Sequence, residues 1–105
     1  MCGILALFGD EVEVSSYLLS HRGPDGYRTK SIGKCRMDFY RLAINDLTDA
    51  GMQPFREGDE MLVCNGEIYN HKEFRTGNEK SNSDCEILMP LIRDYGITKA
   101  IDTIN

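Results

Sequence analysis

The sequence predicts a small α+β domain, and three observations carry that prediction. Its 105 residues, 41% hydrophobic and 28% charged, fit one small domain that buries a modest core. Short apolar or alternating runs at residues 4–8, 31–36, 37–44 and 60–64 read as strands, the third rich in Phe39, Tyr40, Leu42 and Ile44. Ile87, Leu88, Leu91, Ile92 and Tyr95 recur instead at helical spacing.

Taken in order, residues 4–8 read as a buried strand that fixes the chain start against the core. Asp10, Glu11 and Glu13, followed by Val14, Tyr17 and Leu18 at helical spacing, predict a short amphipathic helix. It ends at Ser20-His21-Arg22-Gly23-Pro24-Asp25-Gly26, where Pro presets φ and Gly accepts a positive one, so the chain turns. After the second and third strands, residues 45–58 read as a long loop around Gly51-Met52-Gln53-Pro54-Phe55, and loops of that length are usually functional or mobile.

The fourth strand, Glu60 to Cys64, runs into Asn65-Gly66, by local rules a tight hairpin turn. Asn70 and Glu73 have capping-box spacing for a short helix through Arg75 that Gly77 ends. Ser83 and Glu86 repeat the box ahead of the helical stripe, which closes at Gly96. Pro90 lies inside the stripe and is expected to kink it or to cost about 3 kcal/mol.

A net charge of −5 argues against a nucleic-acid or anionic-membrane surface, since both require clustered Lys and Arg. No apolar run approaches the length of a membrane span, and no signal peptide is legible, so the expected location is cytoplasmic. Cys2, Cys35, Cys64 and Cys85 are widely separated and have only His21 and His71 to help them, so no metal site is expected. In a reducing compartment they read as thiols.

Cys2 has a special position. Cys is small enough for an aminopeptidase to remove the Met before it, which leaves a thiol and a free α-amine on one residue. The thiol has an ordinary pKa near 8.5 and the amine one near 7.7–8.0, so each can hold the other's proton near neutral pH. Retention of Met1 would lock that nitrogen in a peptide bond and remove the base.

Six blocks then stand in order: Met1-Cys2-Gly3-Ile4, His21-Arg22-Gly23-Pro24-Asp25-Gly26, Arg41-Leu42-Ala43-Ile44, Gly51-Met52-Gln53-Pro54, Asn65-Gly66-Glu67-Ile68-Tyr69-Asn70 and Ser83-Asp84-Cys85-Glu86. Together they resemble the glutaminase domain of glutamine-dependent asparagine synthetases, class II glutamine amidotransferases of the N-terminal-nucleophile (Ntn) hydrolase fold. The resemblance runs from Met1 to Gly96. It implies an αββα sandwich, incomplete here, with residues 1–105 forming a partial amidotransferase domain, its first half.

The resemblance also implies roles. Cys2 would attack the side-chain amide of L-glutamine, with its own amine moving the protons. Asn65 and the Gly66 N–H would hold the oxyanion, with Gly allowing the chain to turn that N–H inward. This replaces the plain hairpin reading of Asn-Gly. Arg41 would clamp the α-carboxylate with a guanidinium fork, where the ordinary fate of a strand Arg is solvation. Backbone groups of Leu42, Ala43, Ile44 and Asn45 would line the glutamine site. Glu67 and Asp84 would hold the amide and amino groups, although an acid in a helix's first turn is also favoured by the dipole alone. His21, Arg22 and Asp25 read as scaffold for the turn, and Cys35, Cys64 and Cys85 as small apolar packing groups.

The pattern departs from the family twice. Arg75 to Asn82 is shorter and more polar than the family's segment, so Asp84 is expected to be displaced. The sequence also ends about halfway through the family's glutaminase domain. The synthetase domain, to which ATP and magnesium would belong, is outside it, so no cofactor is expected for this chain. The expected partners are L-glutamine and a separate synthetase chain or complementing fragment. The alternative is an inert fragment acting at most as a glutamine-binding or interaction module.

Overall fold

Strand β3, Cys35–Arg41, is the middle of a three-stranded antiparallel sheet, flanked by β1, Gly3–Phe8, and β2, Gly26–Ile32. This strand is hydrogen-bonded along both edges, and four of its consecutive residues, Asp38 to Arg41, are buried. This computed structural model describes residues 1–10 and 14–105. They form two compact units, Met1–Ile44 with Met52–Asn65 and Asn45–Gly51 with Gly66–Asn105.

In the first unit, register partners face each other across the sheet. Tyr27 and Tyr40 are paired, with ring centroids 4.7 Å apart, and Tyr40 also shares a hydrogen bond with Ser16 Oγ. Thr29 lies opposite Asp38 and donates to its Oδ1 at 2.7 Å, while Arg36 donates through Nε at 3.0 Å and Nη2 at 2.7 Å. Burial pushes the Asp38 carboxyl up, but the hydrogen bonds from Arg36, Thr29 and Ser16 outweigh it and hold the group below its ordinary value. Asp38 is fully buried and charged, a state stable only because its oxygens are bonded in this way.

Several expectations change here. Residues 4–8 form a strand, but it is an edge strand, and Phe8 is 73% exposed. The second and third strands do not divide between Arg36 and Met37. They pair as a hairpin around Gly33 and Lys34, with Gly33 at φ +55°, in the Gly-first arrangement that two-residue hairpin loops favour. Residues 27–30, to which the sequence reading assigns no element, belong to β2, whose half-buried positions include Arg28 and Lys30.

The amphipathic α-helix is replaced by a 3-10 helix, Ser16–Arg22, with Tyr17 and Leu18 exposed. Its three-residue period turns Ser16 and Leu19 inward together. Leu19 packs so closely on Gly3 that a Cβ there would lie 3.0 Å away. Glu11 and Glu13 lie outside the described residues. The long loop is also interrupted. Phe55–Glu57, strand β4, pairs with Glu60–Leu62, strand β5, around Gly58, and Gln53 Oε1 accepts the Cys64 N–H at 2.6 Å.

The second unit is helical. Its core is Ile87, Leu88, Met89, Leu91 and Ala100, on a 3-10 turn, Asp84–Ile87, and two helices, α1, Leu88–Tyr95, and α2, Ile97–Thr103. Gly96, at φ +81°, ends α1 and donates its N–H to Ile92 O. Pro90 is the third residue of α1, in its first turn, where a backbone N–H has no partner within that helix, so it removes no hydrogen bond from α1 itself. Neither capping box forms. The Asn70 side chain instead binds Thr103 O and the Asn105 N–H, and Glu86 reaches past Ser83 to the Lys80 and Ser81 N–H groups.

Candidate active site

The candidate nucleophile sits just before β1. Cys2 is half-buried, and its sulfur accepts the Leu42 N–H at 3.2 Å and lies 3.6 Å from Leu42 O. Leu42 is the first residue past the central strand, so the sheet brings it to the chain start but no ladder bond fixes its N–H. The Cys2 nitrogen donates to Asn65 Oδ1 at 3.2 Å. That nitrogen is a peptide group here and stands where the α-amine would be once Met1, 70% exposed, is removed. Because Asn65 uses its oxygen for this bond, its Nδ2 hydrogens are left to act elsewhere.

The His21 to Gly26 turn holds the Arg41 to Ala43 segment. Gly23 sits so close to β3 that a Cβ would lie 2.1 Å from Tyr40 O. The Asp25 N–H donates to Arg41 O at 2.9 Å, and Asp25 Oδ2 accepts the Ala43 N–H at 2.8 Å. Leu42 is thus gripped on either side along the chain. Arg41 is buried at the end of β3, Ala43 is half-buried and Ile44 is 72% exposed.

Of the other expected site residues, Asn45, Gly66, Glu67 and Asp84 belong to the second unit. Asp84 is buried and ties two of the expected segments together, with Asn45 Nδ2 donating to its Oδ1 at 3.1 Å and the Ile68 N–H to its Oδ2 at 2.6 Å. The short segment before it is rigidly built. Arg75 Nη1 and Nη2 bind Ser81 O and Ser83 O, both at 2.9 Å. Glu79 accepts the Thr76 and Gly77 N–H groups, and the Thr76 backbone bond is the chief reason its pKa falls to about 2. Gly66 and Glu67 are exposed. Gly66 has no left-handed φ, and a Cβ added to it would meet nothing within 4 Å, so the backbone itself does not demand Gly there.

Sequence reasoning missed the Ile68 N–H as a partner of Asp84, and it assigned Asp25 no specific contact. The Asn-Gly-Glu-Ile order offered no local signal for the first; Pro-Asp-Gly disguised the second as turn chemistry. All four cysteines are free thiols. Among the described residues, no cluster of His, Cys, Asp or Glu could hold a metal ion, and no helix is long and apolar enough to cross a membrane.

These features, a thiol at the chain start with an amide donor on its sulfur and an Asn at its nitrogen, define a site suited to acyl transfer through sulfur. The chain belongs to the glutamine amidotransferase domain family, whose pattern matches residues 1–105. It is similar to a probable asparagine synthetase (glutamine-hydrolyzing) of Acanthamoeba polyphaga mimivirus, 38% identical over all of this chain and 22% of that protein. The asparagine synthetase (glutamine-hydrolyzing) of Rattus norvegicus is 41% identical over 96% of this chain and 20% of that protein. Amidase chyE of Penicillium rubens is 38% identical over 85% of this chain and 14% of that protein. The chain therefore spans about a fifth or less of the length of these relatives.

Proposed function

We propose that this chain is the N-terminal glutaminase portion of an asparagine synthetase, releasing ammonia from L-glutamine. The observation that carries the reading is the Leu42 N–H on the Cys2 sulfur, with Asn65 at the Cys2 nitrogen. The sulfur attacks the glutamine side-chain carbonyl, the C–N bond breaks, and ammonia leaves after taking a proton through the α-amine. Water then cleaves the thioester to glutamate and restores the thiol.

The Asn65 Nδ2 hydrogens and the Gly66 N–H stabilise the oxyanion. Arg41 binds the α-carboxylate, the backbone of Leu42 to Asn45 lines the substrate, and Glu67 and Asp84 take the amide and amino groups. Asp84 Oδ1 and Oδ2 each accept one protein donor already and each keep a further lone pair. Supporting the finer fold reading, an Ntn-type αββα sandwich of which this is the first half, are the antiparallel β1-β3-β2 sheet and the position of Cys2 at its start. The proposed setting is cytoplasmic, with no cofactor in this chain and a separate synthetase chain or complementing fragment as partner.

The test is ammonia release from L-glutamine by Met-processed protein, alone and with a complementing fragment, with removal of Met1 verified by intact mass. Glutamine-dependent ammonia in either arm, abolished by Cys2→Ala, is the expected result. No turnover in both arms with the thiol intact overturns it.

A further inference from the structure

The His21 to Gly26 turn has so far only a structural role, yet its hydrogen bonds end one peptide away from the reactive sulfur. Asp25 bonds to both flanks of Leu42, its own N–H to Arg41 O at 2.9 Å and its Oδ2 to the Ala43 N–H at 2.8 Å. Between those anchors, the Leu42 N–H points at Cys2 Sγ from 3.2 Å. Residues 42–43 lie just past β3, so ladder hydrogen bonds no longer fix them, and the Asp25 carboxylate supplies the anchor that the sheet does not. We infer that Asp25 is a positioning residue for the nucleophile, acting through the Ala43 N–H to hold the Leu42 N–H on the Cys2 sulfur.

Gly23 makes this possible. Its missing side chain lets the turn lie directly on the Tyr40 carbonyl, bringing Asp25 within reach of Ala43. The titratable groups on the surrounding segments are His21, Arg22 and Asp25 in the turn and Arg41 at the end of β3, and of these Asp25 alone is negative. A purely electrostatic role and a positioning role therefore predict opposite signs. Deleting a nearby negative charge makes a thiolate easier to form, whereas losing an aimed N–H makes it harder.

The inference rests on Cys2 as nucleophile, but its test reads the thiol directly. The pH dependence of Cys2 alkylation by iodoacetamide is followed by mass spectrometry of the N-terminal peptide, which separates it from Cys35, Cys64 and Cys85. Asp25→Ala is expected to raise the midpoint by about one pH unit, a roughly tenfold loss of thiolate below it. Asp25→Asn retains an oxygen that accepts the Ala43 N–H and is expected to stay close to the parent. Should Asp25→Ala not fold, Asp25→Glu replaces it, keeping the charge while displacing the carboxylate by one methylene, with a rise again expected. A lowered or unchanged midpoint in the folded Ala or Glu variant overturns the inference, as does an Asn variant that rises as far as the Ala one. An unaltered parent profile without ammonia release would instead count against the glutaminase reading alone.

Discussion

Cys2 and Asn65, 63 residues apart, meet through a hydrogen bond of 3.2 Å from the Cys2 nitrogen to Asn65 Oδ1. The bond orients the Asn amide and leaves its Nδ2 hydrogens as the donating end. If that end stabilises an oxyanion, Asn65→Ala is expected to lower kcat by about 10² to 10³ with little change in KM. Asn65→Asp, which keeps the acceptor and loses the donor, should lose nearly as much. Steady-state ammonia release measures both, and an Asp variant near parental rate would remove the donor role.

Arg41 closes the central strand and is buried there. For a bidentate carboxylate clamp, Arg41→Lys keeps the charge but loses the fork. It is expected to raise KM for glutamine by about 10- to 100-fold, with a smaller effect on kcat. A Lys variant with parental KM would place the carboxylate elsewhere.

Gly23 and Gly66 make a contrasting pair for stability. A methyl group at Gly23 would lie 2.1 Å from Tyr40 O, against backbone that cannot yield, so Gly23→Ala is expected to destabilise by about 2–3 kcal/mol. Gly66 has open space around it and no left-handed φ, so Gly66→Ala should fall within about 0.5 kcal/mol of the parent. Urea unfolding of the two variants distinguishes them.

Acid sensitivity follows from Asp38 and Glu79. Both carboxyls titrate below their ordinary values in the fold, so their stabilisation is complete above the unfolded-state values and is lost as pH falls through the folded ones. The window begins near the ordinary values of 3.8 for Asp38 and 4.5 for Glu79, and for Glu79 extends to about 2. Asp38, fully buried and bonded to Arg36 and Thr29, should dominate, since Glu79 is only half-buried. Urea midpoints should be flat from pH 7 to about 5 and decline below that. Asp38→Asn should be less stable at neutral pH and show a shallower acid decline.

The sequence carried the family because that depends on short blocks whose chemistry is local: a thiol at position 2, an Asn-Gly corner, an Arg at the end of an apolar strand. Strand β3 was legible for the same reason, as Phe39 and Tyr40 are large aromatic residues that a small core has to bury. What was misread depends on partners that local spacing rules do not specify. The first half of β2 received no assignment because Arg28 and Lys30 break the apolar alternation and only the fold shows where they lie. The capping boxes failed because Asn70 found better partners at Thr103 and Asn105, and Glu86 at Lys80 and Ser81. Helix α2 had no expectation at all, its burial resting chiefly on Ala100.

Among the described residues, strand β1 pairs along one side only, and Gly3-Ile4-Leu5-Ala6-Leu7-Phe8 contains neither a charge nor a proline to discourage a visitor. An apolar edge of this kind favours pairing with another strand, so concentrated preparations of these 105 residues are expected to form oligomers, which size-exclusion chromatography over a dilution series would detect. A lysine installed at the outward Ala6 would act as a gatekeeper, improving handling of the protein without touching the thiol.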